Sequence, residues 1–245
     1  MLTLNAPRRS RLRATLLAAF LAPFLTPGLS AAAAPTCPPS PRQTLHLPAL
    51  KAALAAHRPI IIAALGSSST AGAMASDPAD SYPAELQDDL TAALPGAEIS
   101  VINRGINGED AKREDQRMQS DILSLRPQLI IWQVGANAAA RGEPPQIFAC
   151  LVRIGLHRLK ASGADIILMD NQRSDKLRHQ PDNARINQTL AQLALESHVN
   201  LFSRDQLMRS WPHLHPFLAP DHMHLNDQGY ACTAQALATA IRAAS

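Results

Sequence analysis

The sequence predicts an α/β protein, a three-layer α/β/α sandwich on a five-stranded parallel sheet. Three observations lead there. Short apolar runs without polar alternation recur along the chain, longer amphipathic stretches separate them, and small polar residues cluster just beyond the runs. Continuous apolar strands belong to parallel sheets covered on both faces. Strand and helix alternating through one domain call for right-handed crossovers, which put helices on those faces. The strands are read at residues 59–65 (PIIIAAL), 98–103 (EISVIN), 128–134 (QLIIWQV) and 165–169 (DIILM), with a weaker fifth at 199–202. Helical patterns occupy 82–94, 109–125, 145–162 and 183–198, and a closing helix runs over 226–244 with Asn226 as its cap. Apart from the proline-rich stretch 35–41, no linker or repeat appears. Residues 35–58 read as a lead-in and 59–245 as one domain.

The first 34 residues differ in character. Arg8, Arg9, Arg11 and Arg13 precede an apolar run over 14–29 and a small-residue stretch over 30–34, with no acid among them. That is the layout of a secretory signal peptide cleaved near Ala34. Pro23 and Pro27 interrupt the run, which falls short of the roughly 20 apolar residues of a membrane span. Periplasmic or secreted location without a stable anchor follows, by an export route the sequence leaves open. Without the four arginines the basic count falls from 23 to 19 against 20 acids, so the formal charge changes from +3 to −1. A nucleic-acid partner would need a basic stripe, and none is present. The expected partner is an ester of a small molecule or polysaccharide, met by a monomer or weak oligomer. In an oxidising compartment the three cysteines allow one disulfide. Chain ends often lie close together, so Cys37–Cys232 is the preferred pair, and Cys150, in an amphipathic segment, is read as a buried thiol.

Ligands of open parallel sheets bind beyond the carboxyl ends of the strands, so the residues there carry the most information. Gly66-Ser67-Ser68-Ser69-Thr70-Ala71-Gly72 follows the first strand, Asn103 to Gly108 the second, and Gly135-Ala136-Asn137 the third. Asp221-His222-Met223-His224 precedes the last helix. A serine hydroxyl becomes nucleophilic when a base takes its proton and a carboxylate orients that base. Asp221 and His224 have the spacing to do so if the chain turns between them. An oxyanion would need donors, which Gly108 N–H and the Asn137 amide could supply.

These four blocks, taken in order, resemble the SGNH (GDSL-type) hydrolases. The resemblance implies Ser68 as nucleophile, Asp221 and His224 as its partners, and an oxyanion hole of Ser68, Gly108 and Asn137, with no cofactor and no metal. Two positions depart from the family pattern: Ser67 and Ala138 stand where it has supporting aspartates. The chain thus looks like a GSSST-type branch. The implied function is an exported serine esterase removing short acyl groups, such as acetyl, from a carbohydrate or other small ester. An acyltransferase to a sugar hydroxyl and a non-catalytic envelope binding protein are the alternatives.

Other readings compete at single positions. Ser67 and Ser69 are rival hydroxyls, and the motif's register favours Ser68. Gly105 is an alternative to Gly108. Arg104 and Asn107 flank the glycine loop and are candidates for substrate contact or plain loop residues. His213, His215, His222 and His224 form two His-x-His pairs, a pattern that zinc sites also use. The triad already claims His224, and the remaining three are read as surface or pocket-rim residues. Trp132 reads as packing, and residues 171–182 as pocket lining.

Overall fold

The computed structural model describes residues 36–245; the leader lies outside the described residues. Strands β1 (Ile60–Gly66), β2 (Ile99–Gly105), β3 (Leu129–Gln133), β4 (Asp165–Met169) and β5 (Asn200–Phe202) form one sheet in the order β2-β1-β3-β4-β5. Every neighbouring pair is parallel. Successive side chains of a strand face opposite ways, and β1 shows the result. Ile60, Ile62 and Ala64 join one core, with Leu86 and Leu90 of α3 (Tyr82–Ala93) and Leu237 and Ile241 of α10 (Asp227–Ala244). Ala63 and Leu65 join the other, with Met118 of α4 (Ala111–Asp121), Leu156 of α6 (Pro145–Lys160) and Leu190 of α8 (Asn183–Ser197). These are the three layers that the apolar runs predict.

The sequence pattern does not reveal helix α1 (Pro48–Ala55), which lies in the lead-in. It is eight residues long and its N-cap Leu47 offers no side-chain cap. The cap comes from the start of β4, where the Asp165 carboxylate accepts the N–H groups of Ala49 (3.2 Å) and Leu50 (2.8 Å). A carboxylate at this position satisfies first-turn donors that otherwise have no intrahelical partner. Leu45, Leu47, Leu50 and Ala53 are buried in the core beside α3 and α10. The lead-in is tied down again by the disulfide Cys37–Cys232, whose Cα atoms are 5.3 Å apart. Such a bond points to an oxidising compartment. Among the described residues, no helix is long and apolar enough to cross a membrane.

Cys150 corrects the sequence reading: it is an exposed free thiol. Helix α6 buries Phe148, Val152, Leu156 and Leu159 on one stripe, and at 100° per residue Cys150 falls outside it.

Trp132 is buried in β3, and its Nε1–H donates to Glu114 Oε2 at 2.8 Å. Burial raises the Glu114 carboxyl to about 8, opposed in part by that hydrogen bond and by Arg117. An unfolded glutamate titrates near 4.3, so between roughly pH 4.3 and 8 the native state binds the extra proton. Stability therefore falls as pH rises through that window. Glu114→Gln keeps an acceptor for Trp132 and cannot ionise. Melting curves should nearly coincide at about pH 5, and at about pH 9 the variant should be more stable by on the order of 1–3 kcal/mol. Parallel curves across that range would show that Glu114 does not carry this pH dependence.

Candidate active site

Gly105, Gly66 and Gln133 stand side by side where β2, β1 and β3 end. They form the floor on which the next turn of chain rests. That turn is α2 (Ser68–Ala71), with Ser67 at its N-cap and Ser68 as its first residue. A Cβ on Gly105 would lie 2.1 Å from the Ala71 nitrogen, and one on Gly66 would lie 2.3 Å from Thr70 Oγ1. Two glycines on adjacent strands let α2 settle directly on the sheet.

Gln133 fastens it there. Its Oε1 accepts the Ser67 N–H (3.1 Å), the Ser67 hydroxyl (3.2 Å) and the Thr70 hydroxyl (3.1 Å). The Thr70 hydrogen is thereby used, so the Tyr82 hydroxyl, 3.3 Å away, donates to Thr70. Burial pushes the Tyr82 phenol up to about 12, keeping it a donor. Ser67 is thus engaged beneath the turn. Ser69 donates to Gln172 Oε1 at 3.3 Å, and Gln172 Nε2 donates to the Met223 carbonyl at 3.1 Å. Buried Gln172 therefore joins the serine turn to the loop that carries Asp221 and His224. The sequence did not single out Gln133, whose one available signal is a polar residue closing an apolar strand, and it marked Gln172 only as part of the stretch 171–182 read as pocket lining.

Ser68 alone of the three serines faces the histidine. His224 Nε2 lies 2.8 Å from Ser68 Oγ, and His224 Nδ1 lies 2.6 Å from Asp221 Oδ2. The turn that this requires is built locally. Asp221 Oδ1 accepts the N–H groups of Met223 (3.0 Å) and His224 (2.9 Å), an Asx turn. Leu218 and Leu225 pair antiparallel across the base of the loop, and Ala219 N–H donates to the His224 carbonyl at 2.9 Å. Asn226 then caps α10 by accepting the Gly229 N–H at 3.0 Å. Burial acts to raise the Asp221 carboxyl, but the hydrogen bonds from His224 and Met223 outweigh it and hold it below the usual carboxylate range. Asp221 remains ionised and can fix an Nδ1–H tautomer, leaving the Nε2 lone pair toward Ser68.

The glycine loop after β2 is held from two sides. Asn137, on α5 (Ala136–Arg141), donates from Nδ2 to the Glu109 carbonyl at 2.7 Å. Arg141 donates to the Gly108 carbonyl (2.8 Å) and to Asp110 Oδ2 (2.7 Å). An amide nitrogen carries two hydrogens, so Asn137 keeps one for another acceptor. Gly108 sits at φ 77, which a residue with a Cβ adopts only under strain. Gly105 is accounted for by its contact with α2. Arg117 of α4 braces the strand ends: its Nη2 reaches the carbonyls of Arg104 (2.8 Å) and Gly66 (3.3 Å), and its Nε pairs with Glu109 at 2.7 Å.

The remaining candidates are placed as follows. The Arg104 side chain turns to the Asp121 carbonyl at 3.4 Å, and Asn107 is exposed. Ala138 is buried in the core against which α8 packs. Of the stretch 171–182, Asp175, Lys176, Leu177, His179 and Gln180 line a cavity of about 430 Å³ with Ala140 and Met223, beside the Asp221–His224 loop.

A 2-1-3-4-5 parallel sheet, with serine, histidine and aspartate hydrogen-bonded beyond its carboxyl ends, is the arrangement of the SGNH hydrolase superfamily. Within it, the chain belongs to the non-GDSL lipase-like family, whose sequence pattern matches residues 34–245. It is similar to an arylesterase of Vibrio mimicus, at 30% identity over 89 residues, which are 36% of this chain and 44% of that protein. The matched stretch is thus less than half of that relative's length. Among solved structures, a lipase/acylhydrolase of Enterococcus faecalis superposes with a TM-score of 0.67 at 20% identity, over 75% of this chain and 96% of the other. An acetylxylan esterase of Geobacillus stearothermophilus gives 0.63 at 18% identity, over 74% and 94%. At these identities the solved structures speak to the fold alone.

Proposed function

We propose that this protein is a carboxylic ester hydrolase that acts through an acyl-serine. The observation that carries the reading is the chain of contacts from Ser68 Oγ to His224 Nε2 (2.8 Å) and from His224 Nδ1 to Asp221 Oδ2 (2.6 Å). Ser68 Oγ attacks the ester carbonyl as His224 Nε2 takes its proton. The oxyanion is received by the N–H groups of Ser68 and Gly108 and by the second hydrogen of Asn137 Nδ2. Ser68 is the first residue of α2, so its N–H has no intrahelical partner. His224 then protonates the departing alkoxide. It next removes a proton from water, whose attack on the acyl-serine releases the acid and restores the hydroxyl.

The substrates are esters of short acyl groups, acetyl foremost, on a carbohydrate or another small alcohol. One structural feature supports this. Near the serine turn and the glycine loop, the exposed large apolar side chains are Met74 and Ile106, fewer than a surface for long acyl chains would use. The likeness to an acetylxylan esterase agrees with it. Secretion or periplasmic export after loss of the leader completes the reading. The test is a series of p-nitrophenyl esters from acetate to laurate. The kcat/KM should fall steadily with chain length, whereas a maximum at octanoate or beyond would overturn the short-acyl assignment. Acylation of an added sugar outpacing release of acid would make the protein a transferase.

A further inference from the structure

Beside the triad, and apart from it, three metal-ligating side chains converge. Asp175 opens α7 (Asp175–Arg178), His215 opens the 3-10 turn His215–Phe217, and His222 lies between Asp221 and Met223. Each offers a donor atom, and the three atoms lie within 4.8 Å of one another. From Asp175 Oδ2, His222 Nδ1 is 3.3 Å away and His215 Nδ1 is 3.8 Å away. The two rings stand nearly perpendicular at 83°, so they do not stack. The backbone is committed as well. His222 is held at φ 55, a conformation disfavoured for a residue with a Cβ, and its carbonyl accepts the Lys176 N–H at 3.2 Å.

We propose that Asp175 Oδ2, His215 Nδ1 and His222 Nδ1 form a binding site for a divalent transition metal of the zinc class, which pins the catalytic loop to α7. A tetrahedral ion with bonds of roughly 2.0–2.1 Å holds its ligand atoms about 3.3–3.4 Å apart. The Asp175–His222 distance of 3.3 Å already fits, the Asp175–His215 distance of 3.8 Å must shorten by about half an ångström, and the two imidazole donors, within 4.8 Å of each other, close by rotation of their exposed side chains. The donor set selects the metal. Two imidazoles and one carboxylate suit zinc, nickel or copper, whereas calcium and magnesium require oxygen-rich sets. Asp175 Oδ1 is already paired with Arg178 at 3.3 Å, which leaves Oδ2 for the ion. Three protein ligands leave a position open to water. The triad's own donors are engaged elsewhere, since His224 Nε2 meets Ser68 and His224 Nδ1 meets Asp221. The site's consequence is mechanical: His222 adjoins Asp221, so an ion joining it to α7 and to the His215 turn stiffens the segment that presents the base.

Zinc chloride titrated into untagged, metal-stripped full-length protein tests the site by calorimetry and thermal melting, with magnesium chloride as control. One zinc ion per chain should bind with micromolar affinity and raise Tm, and magnesium should do neither. His215→Ala, Asp175→Ala and His222→Asn (asparagine tolerates the left-handed backbone) should each weaken zinc binding by roughly tenfold or more. His213→Ala and His224→Ala should retain it, and His215→Ala should keep its esterase rate without metal. Absence of zinc binding, or unchanged affinity in His215→Ala and His222→Asn, would overturn the site. So would loss of binding in His224→Ala with retention in His215→Ala, which would move the ion onto the triad. Binding and melting do not depend on turnover, so this result stands or falls apart from the esterase assignment.

Discussion

Replacing Ser68 with alanine should lower kcat on p-nitrophenyl acetate by roughly 10⁴- to 10⁶-fold, the scale on which a serine hydrolase loses rate with its nucleophile, and leave Tm almost unchanged. The missing oxygen is the one atom that accounts for the His224 Nε2 contact. The rest of the turn stays anchored, because Ser67 and Thr70 hold Gln133 and Ser69 holds Gln172. The neighbouring serines supply the contrast. Ser67→Ala loses one of three hydrogen bonds to Gln133 Oε1 while its backbone N–H keeps another, so a modest decrease in rate is expected. Ser69→Ala loosens the link to Gln172 and should also remain active. If Ser68→Ala keeps more than about a tenth of the activity, or if Ser67→Ala is the inactive variant, another hydroxyl is the nucleophile.

Asp221→Asn should reduce kcat by about 10⁴-fold at neutral pH, with KM little changed. The carboxylate accepts on both oxygens, from two backbone N–H groups on Oδ1 and from His224 on Oδ2. Asparagine has one oxygen. If that oxygen keeps the Asx turn, its NH₂ faces His224 Nδ1 and favours the tautomer with the proton on Nε2. The imidazole then presents an N–H to Ser68 and cannot accept its proton. The loop itself is preserved by the Leu218–Leu225 pairing and the cap at Asn226, so near-ultraviolet circular dichroism should match the native protein. Raising the pH should recover part of the rate as hydroxide replaces the base. A variant that loses both its native spectrum and its activity would assign Asp221 to holding the loop rather than orienting the base.

Legibility of the site followed the range of the contacts. The Asp221–His224 pair spans three residues and is closed by an Asx turn, so its spacing was visible in the chain. The Ser68 and Asn137 blocks announced themselves by following apolar runs. The supports were silent. Gln133 meets Ser67 across 66 residues, Gln172 meets Ser69 across 103, and Asp165 caps α1 across 115. Arg104 reads equally as a substrate contact or a plain loop residue, and its Nε donates to the Asp121 carbonyl, 17 residues away.

By itself, then, the sequence determined the layers and the places where chemistry could lie. The period of apolar residues decides which faces must be buried, and parallel strands bring their carboxyl ends to one edge. Only the tertiary structure decided which buried amides hold the serine turn, that Cys150 faces solvent, and that Asp175 meets His215 and His222. Periodicity encodes the direction of a side chain within its own element. A buried donor finds its acceptor on another element, at a distance set by packing.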